Sequence, residues 1–81
     1  SQHQVHAPIA GLVTSVAVKD GDEVRAGQAL FTIEAMKMEN ILYADADAKV
    51  KKVHVAPPVS VTAGQLIIEF EKEADSGKEA A

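Results

Sequence analysis

Two segments of the chain, residues 5–34 and 42–71, align with each other at a constant offset of 37 residues and without a gap. Nine of the thirty aligned pairs are identical, including Val13 with Val50, and several others keep apolar character. Self-similarity at a fixed offset indicates a repeated supersecondary unit. Because two copies are too few for a solenoid, we expect two similar half-domains that bury their apolar faces against each other about a pseudo-two-fold axis.

Both copies carry the signature of short strands. Valine is more frequent than leucine, and runs such as residues 53–55 alternate apolar with polar residues at the period of a half-buried strand. Turn signals rich in Gly, Asp and Pro, as at residues 20–22 and 63–64, separate these runs. We therefore predict an all-β fold, a flattened barrel or sandwich, with one domain over residues 5–71.

The segments outside the two copies have different characters. Residues 35–41 join the copies, and in a two-fold sandwich such a joining segment is a hairpin that projects from one end. Residues 72–81 are charged and alanine-rich and predict a disordered C-terminal tail. Residues 1–4 precede the repeat and are expected to be a flexible N-terminus.

Composition excludes several classes of function. No apolar run approaches the roughly 20 residues of a membrane span, and the absence of cysteine removes disulfides and thiolate metal sites. A net charge of −4 makes nucleic acid a poor partner. His3, His6 and His54 lack a nearby carboxylate cluster, so we predict no metal site, and no constellation of catalytic residues is evident.

The segment between the copies contains the sequence Ala35-Met36-Lys37-Met38. Together with Gly11 and the flanking glycine turns, this segment resembles the biotin attachment site of biotinyl (biotin carboxyl carrier) domains. The resemblance spans residues 5–71 and is greatest to the C-terminal domain of acyl-CoA carboxylase α-chains of the propionyl-CoA type. It implies the hammerhead fold of biotinyl and lipoyl domains.

The resemblance implies that Lys37 carries biotin through an amide bond. A lysine at a hairpin tip keeps its amine accessible to a modifying ligase, and its four-carbon stem lengthens the arm that biotin extends. Amide formation removes the positive charge, which lowers the cost of desolvating the tip when it enters an apolar slot.

The residues around Lys37 have two interpretations each. Met36 and Met38 share one face in an extended chain, so they could anchor the hairpin as core fillers, while the resemblance implies that they and Ala35 are recognised by the ligase and catalytic partners. Glu34 and Glu39 are either solvated surface charges or, on the example of the family, part of the ligase recognition site.

The resemblance further implies a carrier that is not itself an enzyme. Its partners would be a biotin protein ligase, a biotin carboxylase and a carboxyltransferase that acts on an acyl-CoA or a 2-oxo acid, in the cytoplasm or, in a eukaryote, the mitochondrial matrix. Two alternatives remain: an unmodified hammerhead module that acts as a docking domain, and a lipoyl carrier domain, although both neighbours of Lys37 are methionine.

Overall fold

The computed structural model describes residues 3–71, which contain eight strands and no helix. The prediction of an all-β fold is confirmed. In chain order the strands are β1 (Gln4–His6), β2 (Gly11–Val16), β3 (Glu23–Val24), β4 (Ala29–Ala35), β5 (Met38–Tyr43), β6 (Ala48–Val53), β7 (Val59–Val61) and β8 (Leu66–Phe70).

The strands form two antiparallel sheets of four, ordered β1-β8-β6-β3 and β5-β4-β2-β7. A shift of 37 residues converts one order into the other, because β2 corresponds to β6, β4 to β8, β3 to β7 and β1 to the end of β5. The two central strands of each sheet come from one copy of the repeat, and the short strand at one edge comes from the other copy. Each half therefore completes the sheet of the other.

The pairing register repeats in the same detail. The ladder between β2 and β4 skips Thr14, and the ladder between β6 and β8 skips Lys51, its mate 37 residues later. Gly27 and Gly64 are another such pair: they have φ angles of 87° and 88°, and their N–H groups donate to the carbonyls of Ala44 and Ala7, each at 2.8 Å. The two-fold relation thus extends to bulges and turns.

The core lies between the two sheets and follows the same relation. Twelve of the fourteen buried hydrophobic residues form six pairs at the 37-residue offset. These pairs are Ala7 with Ala44, Val13 with Val50, Val24 with Val61, Leu30 with Ile67, Phe31 with Ile68, and Ile33 with Phe70. None of the buried residues described is polar or charged, so apolar burial provides the main stabilisation of the interior.

One set of hydrogen bonds breaks the symmetry and ties the halves together at a turn. Gly21 donates its N–H to the carbonyl of Val50 at 2.9 Å, and the Asp20 carboxylate accepts the N–H of Val53 at 2.8 Å. The mates of these two turn residues are Pro57 and Pro58, which have no N–H to donate and no carboxylate to accept. The turn at residues 20–22 therefore fastens the first half to β6 in a way that the second half does not reproduce.

Strand β1 begins at Gln4, within the N-terminal segment, residues 1–4, that was expected to be flexible. Gln4 pairs with Glu69, and the carbonyl of His3 accepts the N–H of Phe70 at 2.7 Å. Strand pairing therefore starts earlier than the repeat alone indicates, because β8 offers backbone groups that extend the ladder. The predicted tail over residues 72–81 lies outside the described residues.

The symmetry of the core gives a paired prediction for stability. Val13 and Val50 are both fully buried and occupy equivalent places in the two sheets. We expect Val13→Ala and Val50→Ala each to lower the free energy of unfolding by about 2–3 kcal/mol, because each leaves a cavity in a packed interior. Urea denaturation of both variants tests this, and a large difference between the two costs would contradict an equivalent role.

Candidate functional site

The tip of the hairpin between β4 and β5 is a two-residue turn. Ala35 pairs with Met38 at the end of the ladder, which leaves Met36 and Lys37 as the turn residues, with φ angles of 54° and 66°. Positive φ at both central residues is the mark of a type I′ turn, whose twist matches that of the flanking strands. The joining segment is thus a tight hairpin, as the sequence predicted, and Lys37 stands at its tip.

The turn holds two residues that are poorly suited to its geometry. Type I′ turns favour Asn and Gly, because glycine has no Cβ to approach the following carbonyl oxygen in the left-handed region, and the short polar side chain of Asn can hydrogen-bond locally there. Here the turn residues are methionine and lysine. The pairing of β4 with β5, which is regular from Phe31 with Leu42 to Ala35 with Met38, holds them in place. Strained residues held by rigid surroundings are common at functional sites.

The side chains at the tip stand in solvent. Met36 is 84% exposed and Met38 is 65% exposed, and Lys37 is also exposed. The interpretation of the methionines as core fillers is therefore wrong. It assumed an extended chain through residues 36–38, whereas the reversal of direction at Met36 and Lys37 carries both thioethers beyond the end of the core.

Ala35 occupies a different environment from its neighbours. It is the last residue of β4 and is only 9% exposed, so its methyl group is covered, next to Gly11, while the next residue is in solvent. A partner protein has little of the Ala35 side chain to contact. Ala35 thus holds a packed position at the base of the turn.

Glu34 and Glu39 lie directly opposite each other in the ladder, so their side chains leave the same face of the sheet. Both are exposed, and neither has an ion-pair partner among residues 3–71. Two like charges in directly opposed positions weaken strand pairing slightly. The hairpin thus places an acidic pair two positions behind the turn.

Two further exposed residues on the hairpin were not singled out from the sequence. Ile41 is 47% exposed and Tyr43 is 56% exposed, and both lie on β5 opposite residues of β4. Most of the exposed large hydrophobic residues among those described are on the segment from Met36 to Tyr43. The sequence does not predict the exposure of Ile41 and Tyr43, because it does not show which face of an edge strand is in contact with solvent.

The remaining titratable cluster lies away from the hairpin. The carboxylate of Glu69, on β8, is hydrogen-bonded to Nε2 of His54 at 3.1 Å, and it lies 3.7 Å from Nζ of Lys51. The hydrogen bond to His54, with the nearby charge of Lys51, lowers the pKa of Glu69 against a smaller opposing effect of desolvation. Residues 3–71 contain no group of three or more His, Asp or Glu side chains arranged to hold a metal ion.

The structure of residues 3–71 offers no helix that is long and apolar enough to cross a membrane. The distinctive chemical feature of these residues is an exposed lysine at the tip of a strained hairpin. Comparison with known proteins gives this feature a family context. Residues 3–70 match the biotin/lipoyl family model, described as "Biotin-requiring enzyme".

The chain belongs to this family. Over 64 residues it is 48% identical to the propionyl-CoA carboxylase alpha chain of Ruegeria pomeroyi, and over 67 residues it is 45% identical to the mitochondrial propionyl-CoA carboxylase alpha chain of Sus scrofa. These alignments cover 79% and 83% of the chain but 9% of each relative. The chain thus spans a small part of the length of the curated relatives it matches.

Solved structures agree with the fold. A single-chain, multi-domain long-chain acyl-CoA carboxylase superposes with a TM-score of 0.80 at 31% identity, over 95% of this chain and 8% of that one. The lipoyl domain of the 2-oxoglutarate dehydrogenase complex from Azotobacter vinelandii superposes with a TM-score of 0.77 at 21% identity, over 86% of this chain and 96% of that domain. The second likeness shows the fold alone.

These relationships confirm the resemblance to biotinyl domains. The chain is a biotin/lipoyl-type domain homologous to the carboxyl carrier domains of biotin-dependent carboxylases. The biotinyl carrier domain of a carboxylase is itself non-catalytic, and the chain is homologous to that domain. The family also implies biotin as the cofactor.

The geometry of the turn predicts a conflict between stability and function. Replacing both turn residues, Met36→Asn with Lys37→Gly, supplies the residues that a type I′ turn prefers. We expect the free energy of unfolding to rise by about 1–2 kcal/mol, because strain in the left-handed region is relieved. Urea denaturation measures this change. A double variant that is less stable than the parent would show that the turn is not strained.

Proposed function

We propose that Lys37 is the site of covalent biotin attachment and that the modified domain carries a carboxyl group between two catalytic partners. The observation that supports this most directly is the placement of an exposed lysine at the tip of the joining hairpin, within Ala-Met-Lys-Met, in a chain of a biotin-requiring family. A biotin protein ligase would carry out the attachment.

The attachment is an acyl transfer to the lysine. The unprotonated Nζ of Lys37 attacks the carboxyl carbon of biotin in an activated form. An amide C–N bond forms, the activating group leaves with the electron pair of its bond to carbon, and Nζ loses a proton. The hairpin serves this reaction by presenting the amine beyond the core, where a ligase can surround it.

The flanking residues have distinct roles in this proposal. Met36 and Met38 are exposed on either side of Lys37 and provide a flexible apolar contact for the ligase and for the catalytic partners. Glu34 and Glu39 are exposed behind the turn and offer a negative surface to the ligase. Ala35 contributes through its buried packing below the turn.

The cargo of the biotin arm is a carboxyl group. A biotin carboxylase would use ATP and bicarbonate to carboxylate a ureido nitrogen of biotin, and a carboxyltransferase would move that group to an acceptor. Tethering makes both encounters intramolecular, with effective concentrations on the order of mM for a short flexible linker. The domain contributes a rigid, stable body that carries the arm from one site to the other.

An acyl-CoA is the favoured acceptor. Two relatives at 45% and 48% identity are alpha chains of propionyl-CoA carboxylase, and a matching structure is a long-chain acyl-CoA carboxylase. A 2-oxo acid is the other candidate, since mouse pyruvate carboxylase is 37% identical over 68 residues. The site of action would be the cytoplasm, or the mitochondrial matrix if the source is a eukaryote.

The two alternative functions are less well supported. A lipoyl carrier shares the fold, but the lipoyl domain that superposes here is only 21% identical, and both neighbours of Lys37 are methionine. A docking module without a prosthetic group has no use for a lysine in a strained turn, where glycine would be more stable.

The test of the proposal is incorporation of biotin. The chain, incubated with a biotin protein ligase, ATP and biotin, is expected to gain the mass of one biotin, and Lys37→Arg is expected to gain none, because the guanidinium is not an acylatable amine at neutral pH. Intact mass spectrometry and tryptic mapping distinguish biotin from lipoyl and locate the modified residue.

The core variant Val50→Ala is the matched control. It lowers stability far from the tip, so at a temperature where it is folded it should incorporate biotin like the parent. Lys37→Ala, by contrast, should have a free energy of unfolding within about 0.5 kcal/mol of the parent, because its side chain is in solvent, and should still fail to accept biotin. Biotin on Lys19 or Lys52 would contradict the proposal.

A further inference from the structure

Gly11 stands where the hairpin leaves the body of the domain. It is the first residue of β2, next to Leu12, whose partner across the ladder is Glu34 near the end of β4. A Cβ on Gly11 would lie 2.5 Å from the carbonyl oxygen of Glu34 and 3.1 Å from the Cβ of Ala35. Contacts this short require the neighbouring atoms to move.

The need for glycine here is one of space alone. Gly11 does not have a positive φ, unlike Gly21, Gly27 and Gly64, so the backbone conformation itself would accept alanine. The nearest atom to a new methyl group belongs to the backbone of β4, which cannot turn aside as a side chain can.

The other half of the domain shows what this close approach achieves. The residue equivalent to Gly11 is Ala48, which carries a Cβ at the same place in β6. Strand β8 ends at Phe70, the equivalent of Ile33, whereas β4 continues through Glu34 and Ala35 into the turn. The glycine therefore occurs in the half that contains the longer strand, β4. It lies on β2 beside the last two residues of β4.

We propose that Gly11 is a positioning residue for the modification of Lys37. Because Gly11 has no side chain, the end of β4 can lie directly against β2. This contact sets the positions of Glu34 and Ala35, and with them the position and orientation of the turn that bears the lysine. A methyl group at this position pushes the end of β4 outward and displaces the turn. The inference rests on the proposed attachment of biotin at Lys37.

A displacement of this kind should act on the rate of modification. The ligase must bring Nζ of Lys37 into line with an activated carboxyl carbon, and a misplacement of about 1 Å can cost about 100-fold in rate. The exposed surface that the ligase recognises is chemically unchanged in Gly11→Ala. The loss is therefore expected mainly in kcat and less in KM.

The matched control is Gly27→Ala. Gly27 has φ +87°, and no atom lies within 4 Å of the position that a Cβ would take, so alanine there destabilises the domain through backbone strain. It lies before the start of β4, while the turn follows the end of that seven-residue strand, so the two are more than about 20 Å apart at roughly 3.3 Å per residue. Comparing the two variants separates a change at the base of the hairpin from destabilisation at a distant turn.

The experiment measures kcat and KM of biotin transfer from a biotin protein ligase for the parent, Gly11→Ala and Gly27→Ala. Circular dichroism first sets a temperature at which both variants are more than about 95% folded. We expect kcat/KM of Gly11→Ala to fall at least 10-fold, mostly in kcat, and that of Gly27→Ala to stay within 2-fold of the parent. Equal values for the two variants would overturn the positioning role.

The parent distinguishes the two levels of inference. A parent that accepts no biotin refutes the proposed function, whereas a modified parent with an unaffected Gly11→Ala refutes only the role of Gly11. Should Gly11→Ala not fold, Ala35→Gly replaces it, since it removes the buried methyl that rests against Gly11 without adding bulk. A kcat/KM of Ala35→Gly less than 5-fold below the parent would then overturn the proposal, and a drop of 5-fold or more would support it.

Discussion

The structure depends on an exchange of strands between two halves that cannot complete a sheet alone. Strand β3 of the first half pairs with β6 of the second, and β7 of the second half pairs with β2 of the first. The same exchange brings the apolar faces of both sheets into one interior, where equivalent residues such as Val13 and Val50 are fully buried. A small domain has little apolar area to bury. Both copies of the repeat therefore bury their apolar faces in one shared core.

The symmetric body provides a rigid base for an asymmetric tip. Strand β4 runs two residues further than its equivalent β8, and these residues lead into the strained turn of Met36 and Lys37. The ladder between β4 and β5 spans both strands and anchors the turn to Phe31 and Ile33 in the core. The buried interior that stabilises the fold is thereby separate from the tip, where the proposed attachment site lies.

The separation explains why the tip tolerates features that a core would not. Two left-handed residues, an opposed pair of glutamates and two exposed methionines each cost some stability. Their combined effect is confined to the end of one hairpin, where few buried groups depend on it. Gly11 and Ala35, at the base of that hairpin, belong to the packed body and, in the positioning role proposed above, also set the place of the turn.

What the sequence by itself determined is the repeat, the strand class, the paired core residues and the lysine that stands between the copies. The offset of 37 residues predicted two equivalent halves, and the period of the valines predicted strands, because repetition and alternation are local properties of a sequence. The interpretation of Met36 and Met38 as core fillers was wrong for a physical reason: whether a residue is extended or left-handed depends on the register of the surrounding strands. Only the tertiary structure decided that register, and with it the exchange of β3 and β7, the type I′ turn, the burial of Ala35 and the contact that excludes a side chain at Gly11. The exchange of β3 and β7 and the contacts around Gly11 and Ala35 arise where segments far apart in the chain meet, so their geometry exists only once both halves have folded together. The turn is local, but it is held by the pairing of β4 with β5 above the core.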